Sequence, residues 1–269
     1  MTEDISEKTL AVRKKAVNSH DFNSPIFQDR YAVMDENPYA SAFAYGRKKL
    51  YPKMFEEIDG QFQGRAKVLD VACGTGYFTS ELRKKGYDVT GVEPAEGMRK
   101  RAQEKNPDVE IVEGIVSELP FEDDTFDLVT AVELFRYLDS KDIMAGYEEI
   151  LRVLKPGGIM VVTLVNRYAL DGFIFSYYAK LMMEKLFGKE IINYCNFVTP
   201  SGMEWYFGDN FKKIVKTEST LFAPLRIVYK IKPSWGEALA RKFETLDEKI
   251  NTKKWHQKFA GHLIVTVKK

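Results

Sequence analysis

The feature that most constrains this chain is a strand that breaks into a glycine loop, with the sequence VLDVACGTG over residues 68–76. The mostly apolar run from Val68 to Val71 is typical of a strand buried on both faces of a parallel sheet. Gly74 and Gly76 follow, and glycine lets the backbone turn tightly and approach a ligand without a Cβ. The pattern predicts a strand, a loop and a helix with a binding crevice between them, although a tight turn that binds nothing also fits it.

A carboxylate stands at the end of the next predicted strand, Tyr87 to Val92, where Glu93 lies about 20 residues after the glycines. A carboxylate there can accept hydrogen bonds from two neighbouring ribose hydroxyls. A dinucleotide usually needs a third glycine for close helix packing, and Thr79 occupies that position. Asp70 would repel a phosphate and suits a ligand with an ammonium or sulfonium group. These residues favour a nucleotide other than a dinucleotide, with an NAD-dependent oxidoreductase as the alternative.

Four segments in this order resemble the class I S-adenosylmethionine-dependent methyltransferases: VLDVACGTG, VTGVEPAEGM, LPFEDDTFDLV and ILRVLKPGGIMVV. The resemblance runs from about Lys67 to Val165 and does not specify a substrate. It implies S-adenosyl-L-methionine as cofactor and methyl transfer to a small molecule. It also implies an α/β fold with a doubly wound, mostly parallel, seven-stranded Rossmann-like sheet, and the aromatic residues after strand five suggest a helical cap.

The resemblance also implies a set of cofactor-binding residues. Met98 corresponds to a residue that packs on the adenine ring in the family, although filling of the core explains it equally well. Where the family commonly has an aspartate after Gly114, this chain has Ile115, which leaves backbone groups of Ile115 and Val116 to contact the adenine edge. The candidates are Asp70, Ala72, Gly74, Gly76, Glu93, Pro94, Met98, Ile115, Val116 and Glu133.

The segment after the predicted fourth strand, Phe126 to Val132, is where reactive groups are expected. The candidates there are Glu133, Arg136 and Tyr137. Many relatives place a histidine at position 135 or 136, and this chain does not. It also lacks the motif that grips amino groups of adenine or glutamine, which argues against methylation of bases and amides. Glu133 could act as a base, cap the next helix or bind the methionine ammonium, so no general base is assigned.

Changes in composition divide the chain into four predicted regions. Residues 1–60 form a helical arm or lid, 61–166 the cofactor-binding core, 167–210 an aromatic cap over the substrate, and 211–269 the edge of the core sheet. The cap could instead be a packed helical subdomain, a dimer contact or, over Phe173 to Phe187, a membrane-surface element. The candidate substrate-binding residues are Tyr31, Tyr39, Arg136, Tyr137, Tyr178 and Trp205.

The composition of the chain limits the kinds of molecule that it is expected to bind. Forty basic residues oppose 39 acidic ones, for a formal charge of +1, so no overall field attracts nucleic acid. No apolar run is long enough to span a membrane and no leader is evident, so a cytoplasmic location is expected. Two cysteines and three histidines without ligand spacing predict no disulfide framework and no metal. The expected partner is a small molecule, the oligomeric state is undetermined, and a non-catalytic module that binds the cofactor is a further alternative.

Overall fold

The computed structural model describes residues 7–170, 172–188, 195–199, 202, 207, 214–220, 225–250 and 253–269. Its strands are β1 (Lys67–Val71), β2 (Asp88–Val92), β3 (Glu110–Val112), β4 (Phe126–Ala131), β5 (Leu154–Val165), β6 (Ile214–Thr220) and β7 (His262–Lys268). Its helices are α1 (Glu7–Glu36), α2 (Ala42–Phe62), α3 (Tyr77–Lys84), α4 (Glu96–Lys105), α5 (Ser140–Val153), α6 (Phe173–Phe187), α7 (Leu225–Ile231), α8 (Pro233–Ile250) and α9 (Lys254–Phe259), with a 3-10 helix at Phe135–Tyr137.

The seven strands form one sheet in the order β3-β2-β1-β4-β5-β7-β6. The strands from β3 to β5 pair in parallel, and β7 pairs antiparallel with both β5 and β6. The strand order reverses between β1 and β4, so the connections after these two strands diverge and leave a crevice at their carboxyl ends. The mostly parallel α/β architecture predicted from the sequence is confirmed.

Successive side chains along each strand alternate in direction, which explains why both faces of the sheet are covered. Leu69 and Val129 belong to the apolar cluster shared with α5, whereas their neighbours Val68 and Leu128 belong to the cluster shared with α2 and α3. Successive strand residues point to opposite faces, so an apolar run such as that of β1 has to be buried on both sides. The two clusters hold the strand ends at which the crevice opens.

The predicted bounds of β2 and β4 lie within one residue of the observed ones, but strand β5 differs. The sequence Lys155-Pro156-Gly157-Gly158 predicts a stop before a strand that begins at Ile159, whereas β5 already begins at Leu154. Pairing of Phe126 with Leu154 extends the strand, and a register shift between Phe126 and Leu128 accommodates the extra residues. The turn residues therefore lie within an irregular strand, because pairing with β4 outweighs their local preference.

The N-terminal region forms two long helices that lie over the carboxyl edge of the sheet. Arg13 of α1 pairs with Asp142 of α5 (Nη2 to Oδ1, 2.5 Å). One end of α1 is therefore attached to α5. Further along the helix, the guanidinium of Arg101 in α4 donates to Ser24 Oγ of α1 (3.2 Å). Helix α1 thus crosses the crevice from α5 to α4, the position expected of a lid.

The predicted cap over 167–210 is described only in part. Helix α6 and residues 195–199 belong to it, and the bridge between Asn166 and Val198 joins the second segment to the end of β5. Trp205, a predicted substrate contact, lies outside the described residues. The assignment of this region as a substrate cap stays a prediction.

Two glycines offer a matched test of the loop after β1. Gly76 has a φ of +73°, and a Cβ there would lie 2.5 Å from Asn106 Nδ2 and 2.9 Å from Ala102 Cα. We expect Gly76→Ala to lower the free energy of unfolding by at least about 2 kcal/mol, because strain and overlap add. In contrast, Gly60→Ala in α2 meets no atom within 4 Å and should raise it by about 0.5 kcal/mol. Urea unfolding followed by circular dichroism measures both changes, and equal effects would contradict this account of the loop.

Candidate active site

A cavity of about 300 Å³ opens at the carboxyl ends of β1 and β4. The sheet forms its floor, and α1 and α2 form the opposite wall. The volume is at the lower end of the range of small-molecule sites. Its lining includes every predicted cofactor-binding residue except Gly76. That glycine is the N-cap of α3 and packs against α4.

Strained backbone marks both sides of the crevice. Ala72, after β1, has a φ of 55°, and Glu133, after β4, has a φ of 57°. Side chains other than glycine rarely adopt this left-handed conformation, and residues that do so concentrate at ligand sites. Both residues line the cavity. The strain therefore lies where the two diverging connections meet.

Asp70 is a buried carboxylate at the floor of the cavity. Thr79 Oγ1 donates to its Oδ2 (2.7 Å) and Thr130 Oγ1 to its Oδ1 (2.9 Å). Burial raises the pKa of Asp70 to about 6, although the two hydroxyls act in the opposite direction. The position where a dinucleotide-binding loop has its third glycine is thus occupied by a hydroxyl that orients Asp70.

Glu93 ties the glycine loop to the end of β2. The Gly74 N–H donates to its Oε2 (2.9 Å), and the Ala95 N–H donates to its Oε1 (3.0 Å). A carboxylate offers about four lone-pair sites, so each oxygen retains acceptor capacity for a ligand hydroxyl. Burial raises the pKa of Glu93 to about 7 against the opposing effect of the two N–H groups. A Cβ at Gly74 would meet no atom within 4 Å, so the loop borders open space beside this carboxylate.

Glu133 is the centre of an ion cluster. Its carboxylate accepts from Arg47 Nη1 (2.9 Å) and Arg136 Nη1 (2.9 Å), and His262 Nε2 lies 2.5 Å from Oε1. Burial acts to raise the pKa of Glu133, but Arg47, His262 and Arg136 together hold it well below the usual range. A carboxylate stabilised in this way is a weak base. The geometry therefore argues for an anchoring acceptor and against the general base considered from the sequence.

The predicted substrate-binding residues separate into two groups. Tyr31, Arg136 and Tyr137 line the cavity. In contrast, Tyr39 is directed to the C-terminal helices, where its hydroxyl donates to Glu244 and its ring lies 3.9 Å from the Arg241 guanidinium. Tyr178 is half-exposed on α6. Of the two lid tyrosines predicted to reach the site, Tyr31 lines the cavity, whereas Tyr39 packs against α8 instead.

Three residues in the cavity wall were missed from the sequence. Arg47 lies one helical turn from Phe43 and Tyr51, with its guanidinium over both rings, and that spacing was the available signal. His262 begins β7 opposite Val165 at the end of β5. His20 comes from α1, and neither histidine has a sequence signal because both reach the site through tertiary packing.

The His20 ring is held in a defined orientation. Its Nδ1 lies 2.8 Å from the Ala16 carbonyl oxygen, which can only accept, so Nδ1 carries the hydrogen. In the neutral ring Nε2 is then the acceptor. The ring packs edge-on against Tyr137, with centroids 4.6 Å apart. Burial lowers the pKa of His20 and the charge of Arg136 adds to this effect, while the bond to Ala16 opposes it.

Comparison with known proteins agrees with this geometry. A family model described as a methyltransferase domain matches residues 68–158. The demethylmenaquinone methyltransferase of Chlorobaculum tepidum is 30% identical over 178 residues, which cover 64% of this chain and 72% of that protein. The chain belongs to the class I S-adenosylmethionine-dependent methyltransferases. As a member of this family the protein is a methyltransferase with S-adenosylmethionine as its cofactor, so the oxidoreductase and non-catalytic alternatives are set aside.

Other similarities extend the comparison. The demethylmenaquinone methyltransferase of Staphylococcus aureus strain JH9 is 38% identical over 154 residues, or 54% of this chain and 62% of that protein. A possible histamine N-methyltransferase from Thermotoga maritima aligns over 81% of this chain and 89% of its own, with 20% identity and a TM-score of 0.51. An S-adenosylmethionine-dependent methyltransferase from Mesorhizobium loti aligns over 81% and 96%, with 18% identity and a TM-score of 0.54. The two structures show the shared fold.

The buried Glu93 makes the stability of the methyltransferase depend on pH. Its pKa is about 7 in the fold and near 4.5 in an exposed carboxyl. Between these values the folded protein holds a proton that the unfolded chain has lost, so its free energy of unfolding falls as pH rises. We expect Glu93 to contribute a loss of about 2–3 kcal/mol from about pH 5 to pH 8 in the cofactor-free protein.

Urea unfolding of wild type and Glu93→Gln across this pH range measures that contribution. The difference between the two curves isolates Glu93, because Asp70, which acts in the same direction, and His20, which acts in the opposite direction, are present in both proteins. Parallel curves would show that the carboxylate of Glu93 is not destabilised by burial.

Proposed function

We propose that this methyltransferase transfers a methyl group to a small, largely apolar or aromatic acceptor held in the cavity beneath α1 and α2. The observation that carries the proposal is the aromatic wall of the cavity. Its rings belong to Phe27, Tyr31, Phe43, Tyr51 and Tyr137. Aromatic side chains offer a large contact area at low entropic cost, and each tyrosine adds a polar tip.

Contacts of these rings with one another and with Tyr77 of α3 support a preformed site. Tyr31 stacks on Tyr77 with centroids 4.3 Å apart, and the Tyr31 and Tyr51 hydroxyls lie 3.0 Å from each other. Phe43 packs edge-on against Tyr31 at 5.2 Å. The rings therefore connect α1, α2 and α3 across the cavity. A wall assembled before the acceptor arrives reduces the entropy lost on binding.

We assign the cofactor to the floor of the same cavity. Glu93 would accept the ribose hydroxyls, Asp70 would face the positively charged methionine end, and Pro94, Met98, Ile115 and Val116 would surround the adenine. The open space at Gly74 and the remaining acceptor capacity of Glu93 fit such a ligand. Arg47 and Arg136 also line this cavity and would place positive charge near the carboxylate of such a ligand.

Catalysis then depends mainly on position. S-adenosylmethionine supplies an already activated methyl group when bound. The chain has to hold an acceptor atom about 3 Å from that group and in line with it, and such orientation is worth up to roughly 7–11 kcal/mol. The aromatic wall and the anchored Arg136 would provide the orientation, while α1 would exclude water.

His20 is the group we propose as proton acceptor when the acceptor molecule carries a hydroxyl or an amine. Its Nε2 carries a lone pair because Nδ1 bonds to Ala16, and the ring lines the cavity beside Tyr137. Its lowered pKa keeps the ring neutral at physiological pH. Glu133, held as an ion by two arginines, is less suited to this role.

The names of the curated relatives support the acceptor class. The Chlorobaculum and Staphylococcus proteins are named for demethylmenaquinone, and an acceptor of this kind suits an aromatic wall. The test is formation of S-adenosylhomocysteine from S-adenosylmethionine with reduced demethylmenaquinone, with simple naphthols and with transfer RNA. We expect turnover with the ring compounds only. Turnover with the RNA alone would overturn the small-molecule assignment.

His20→Gln tests the proton acceptor. We expect kcat with a naphthol to fall by about 10²–10⁴, the usual contribution of general base catalysis. The wild-type rate should decline on the acid side with a midpoint below pH 6.5, since the pKa of His20 is lowered from that value, and the variant should lack this decline. Asn18→Ala, an exposed position on the same helix, is the matched control. Unchanged binding of S-adenosylhomocysteine shows that the variant is folded, and an unchanged pH profile would exclude the role of His20.

A further inference from the structure

A second cavity lies beside the active site, between α1 and α6. Its volume is about 340 Å³. Helix α1, the 3-10 helix and α6 supply most of its wall. Both cavities are lined by His20, Phe27, Arg30, Arg136 and Tyr137. The two cavities therefore adjoin each other where the acceptor is proposed to meet His20.

Helix α6 forms one side of the second cavity with Phe173, Ser176, Tyr177 and Lys180. These residues follow the spacing i, i+3, i+4, i+7 and so share one face of the helix. Helix α6 is rich in apolar residues, but no helix in the described part of the chain is both long and apolar enough to cross a membrane. The face that borders the cavity brings a lysine to its wall.

The charged groups of this wall are all cationic. They are Arg30, Arg136 and Lys180, and the described residues that line the cavity include no carboxylate. Glu184, the single acidic residue of α6, is not part of the wall. The guanidinium of Arg30 lies 5.2 Å from the centroid of the Phe27 ring, which faces both cavities. The second cavity therefore combines positive charge with an aromatic side.

The pairing of Arg136 leaves positive charge over. Arg136 Nη1 and Arg47 Nη1 both donate to the carboxylate of Glu133, each at 2.9 Å. Two guanidinium groups are always charged in a protein, and one carboxylate balances only one of them. The ion cluster at the boundary of the two cavities thus has a net positive charge.

The cations on the far side of the cavity act on Lys230 of α7. Burial lowers the pKa of Lys230, and the charges of Lys180 and Arg226 lower it further. Like charges that disfavour one another in this way are stabilised by an anion placed among them. The region around Lys180 therefore favours a negatively charged ligand.

We propose that the second cavity binds an anionic group, a carboxylate or a phosphate, that the acceptor carries. The rings shared by both cavities would hold the apolar part of the acceptor, and Arg30, Arg136 and Lys180 would hold the anion. Guanidinium groups bind both kinds of anion through paired hydrogen bonds, and a lysine adds a point charge. The assignment of the anion to the acceptor rests on the proposed function, whereas the binding of an anion in this cavity does not.

The second cavity is distinct from the position assigned to the cofactor. Asp70, Glu93 and Met98 line the first cavity and not the second, and Lys180 lines the second and not the first. S-adenosylhomocysteine can therefore fill the cofactor position while the second cavity is tested. Its carboxylate is then already bound and does not compete with the anion that is added.

Calorimetry on the full chain saturated with S-adenosylhomocysteine tests the anion site. The probes are naphthoate, naphthyl phosphate and the neutral naphthamide, all substituted at the same ring position. We expect at least one of the two anions to bind more tightly than the amide by a factor of at least about ten. The stronger of the two anions identifies the group that fits the cavity.

Lys180→Gln should reduce this preference for the anion by about fivefold, the upper range for a pair that involves an exposed lysine. Lys185→Gln is the matched control, because it removes a lysine of the same helix that lines neither cavity. It should leave the preference unchanged. Arg136 is unsuitable for this test, since its loss would also disturb Glu133.

Three results would overturn the anion site. Neither anion binds wild type more tightly than the amide, or Lys180→Gln keeps the full preference, or Lys180→Gln weakens S-adenosylhomocysteine binding as much as anion binding. The last result would mean that the lysine serves the cofactor.

Inhibition of naphthol methylation connects the anion site to the acceptor. We expect the tighter anion to inhibit competitively against the naphthol, and inhibition that is not competitive would separate the anion from the acceptor. The binding measurements require no methyl transfer. Failure of the proposed function would therefore appear as missing turnover with the anion preference intact, whereas failure of the anion site would appear as turnover without that preference.

Discussion

The burial of Glu133 is the constraint on which the site depends. The carboxylate follows β4 in a strained left-handed conformation, and it meets guanidinium groups from α2 and the 3-10 helix and an imidazole from β7. A buried charge that loses one partner costs several kcal/mol, so these elements have to come together around it. Their assembly closes the side of the cavity where the acceptor is proposed to bind. The backbone N–H of Glu133 also donates to Thr163 Oγ1 of β5 (2.7 Å), which fixes the strained residue to the sheet.

The same cluster explains why the pKa of Glu133 differs from the pKa values of the other two carboxylates in the cavity. Glu133 has its charge stabilised by its neighbours, whereas Asp70 and Glu93 are buried with hydroxyl and N–H partners alone and have raised pKa values. The first arrangement suits a structural anion. The second makes carboxylates that gain from a ligand with hydroxyl or cationic groups, because such a ligand restores the interactions lost on burial. If the cofactor binds beside these carboxylates, as proposed, its binding would relieve the unfavourable free energy of their burial.

Helices α1, α2 and α6 lie outside the core sheet of this methyltransferase. Helix α1 crosses the crevice and contributes His20 and Tyr31, and α2 contributes Arg47. Helix α6 borders a cavity of about 340 Å³ between itself and α1 with one side and exposes apolar side chains on another. In the proposed function, the wall formed by α1 and α2 selects the acceptor. These helices are additions to a sheet whose topology is shared with enzymes of other specificity.

The sequence by itself determined the core. A buried strand, a glycine loop and Glu93 at the end of β2 are local patterns, since strand burial and glycine conformation depend on residues close together in the chain. They were enough to predict the parallel sheet and a nucleotide-binding crevice, and the resemblance of four segments to class I methyltransferases supplied the family and its cofactor. Only the tertiary structure decided the composition of the acceptor side. His20, Arg47 and His262 come from α1, α2 and β7, and contacts across such separations leave no periodic signal in the sequence. Tyr39 was misassigned for the same reason, because its ring packs on Arg241, about 200 positions away.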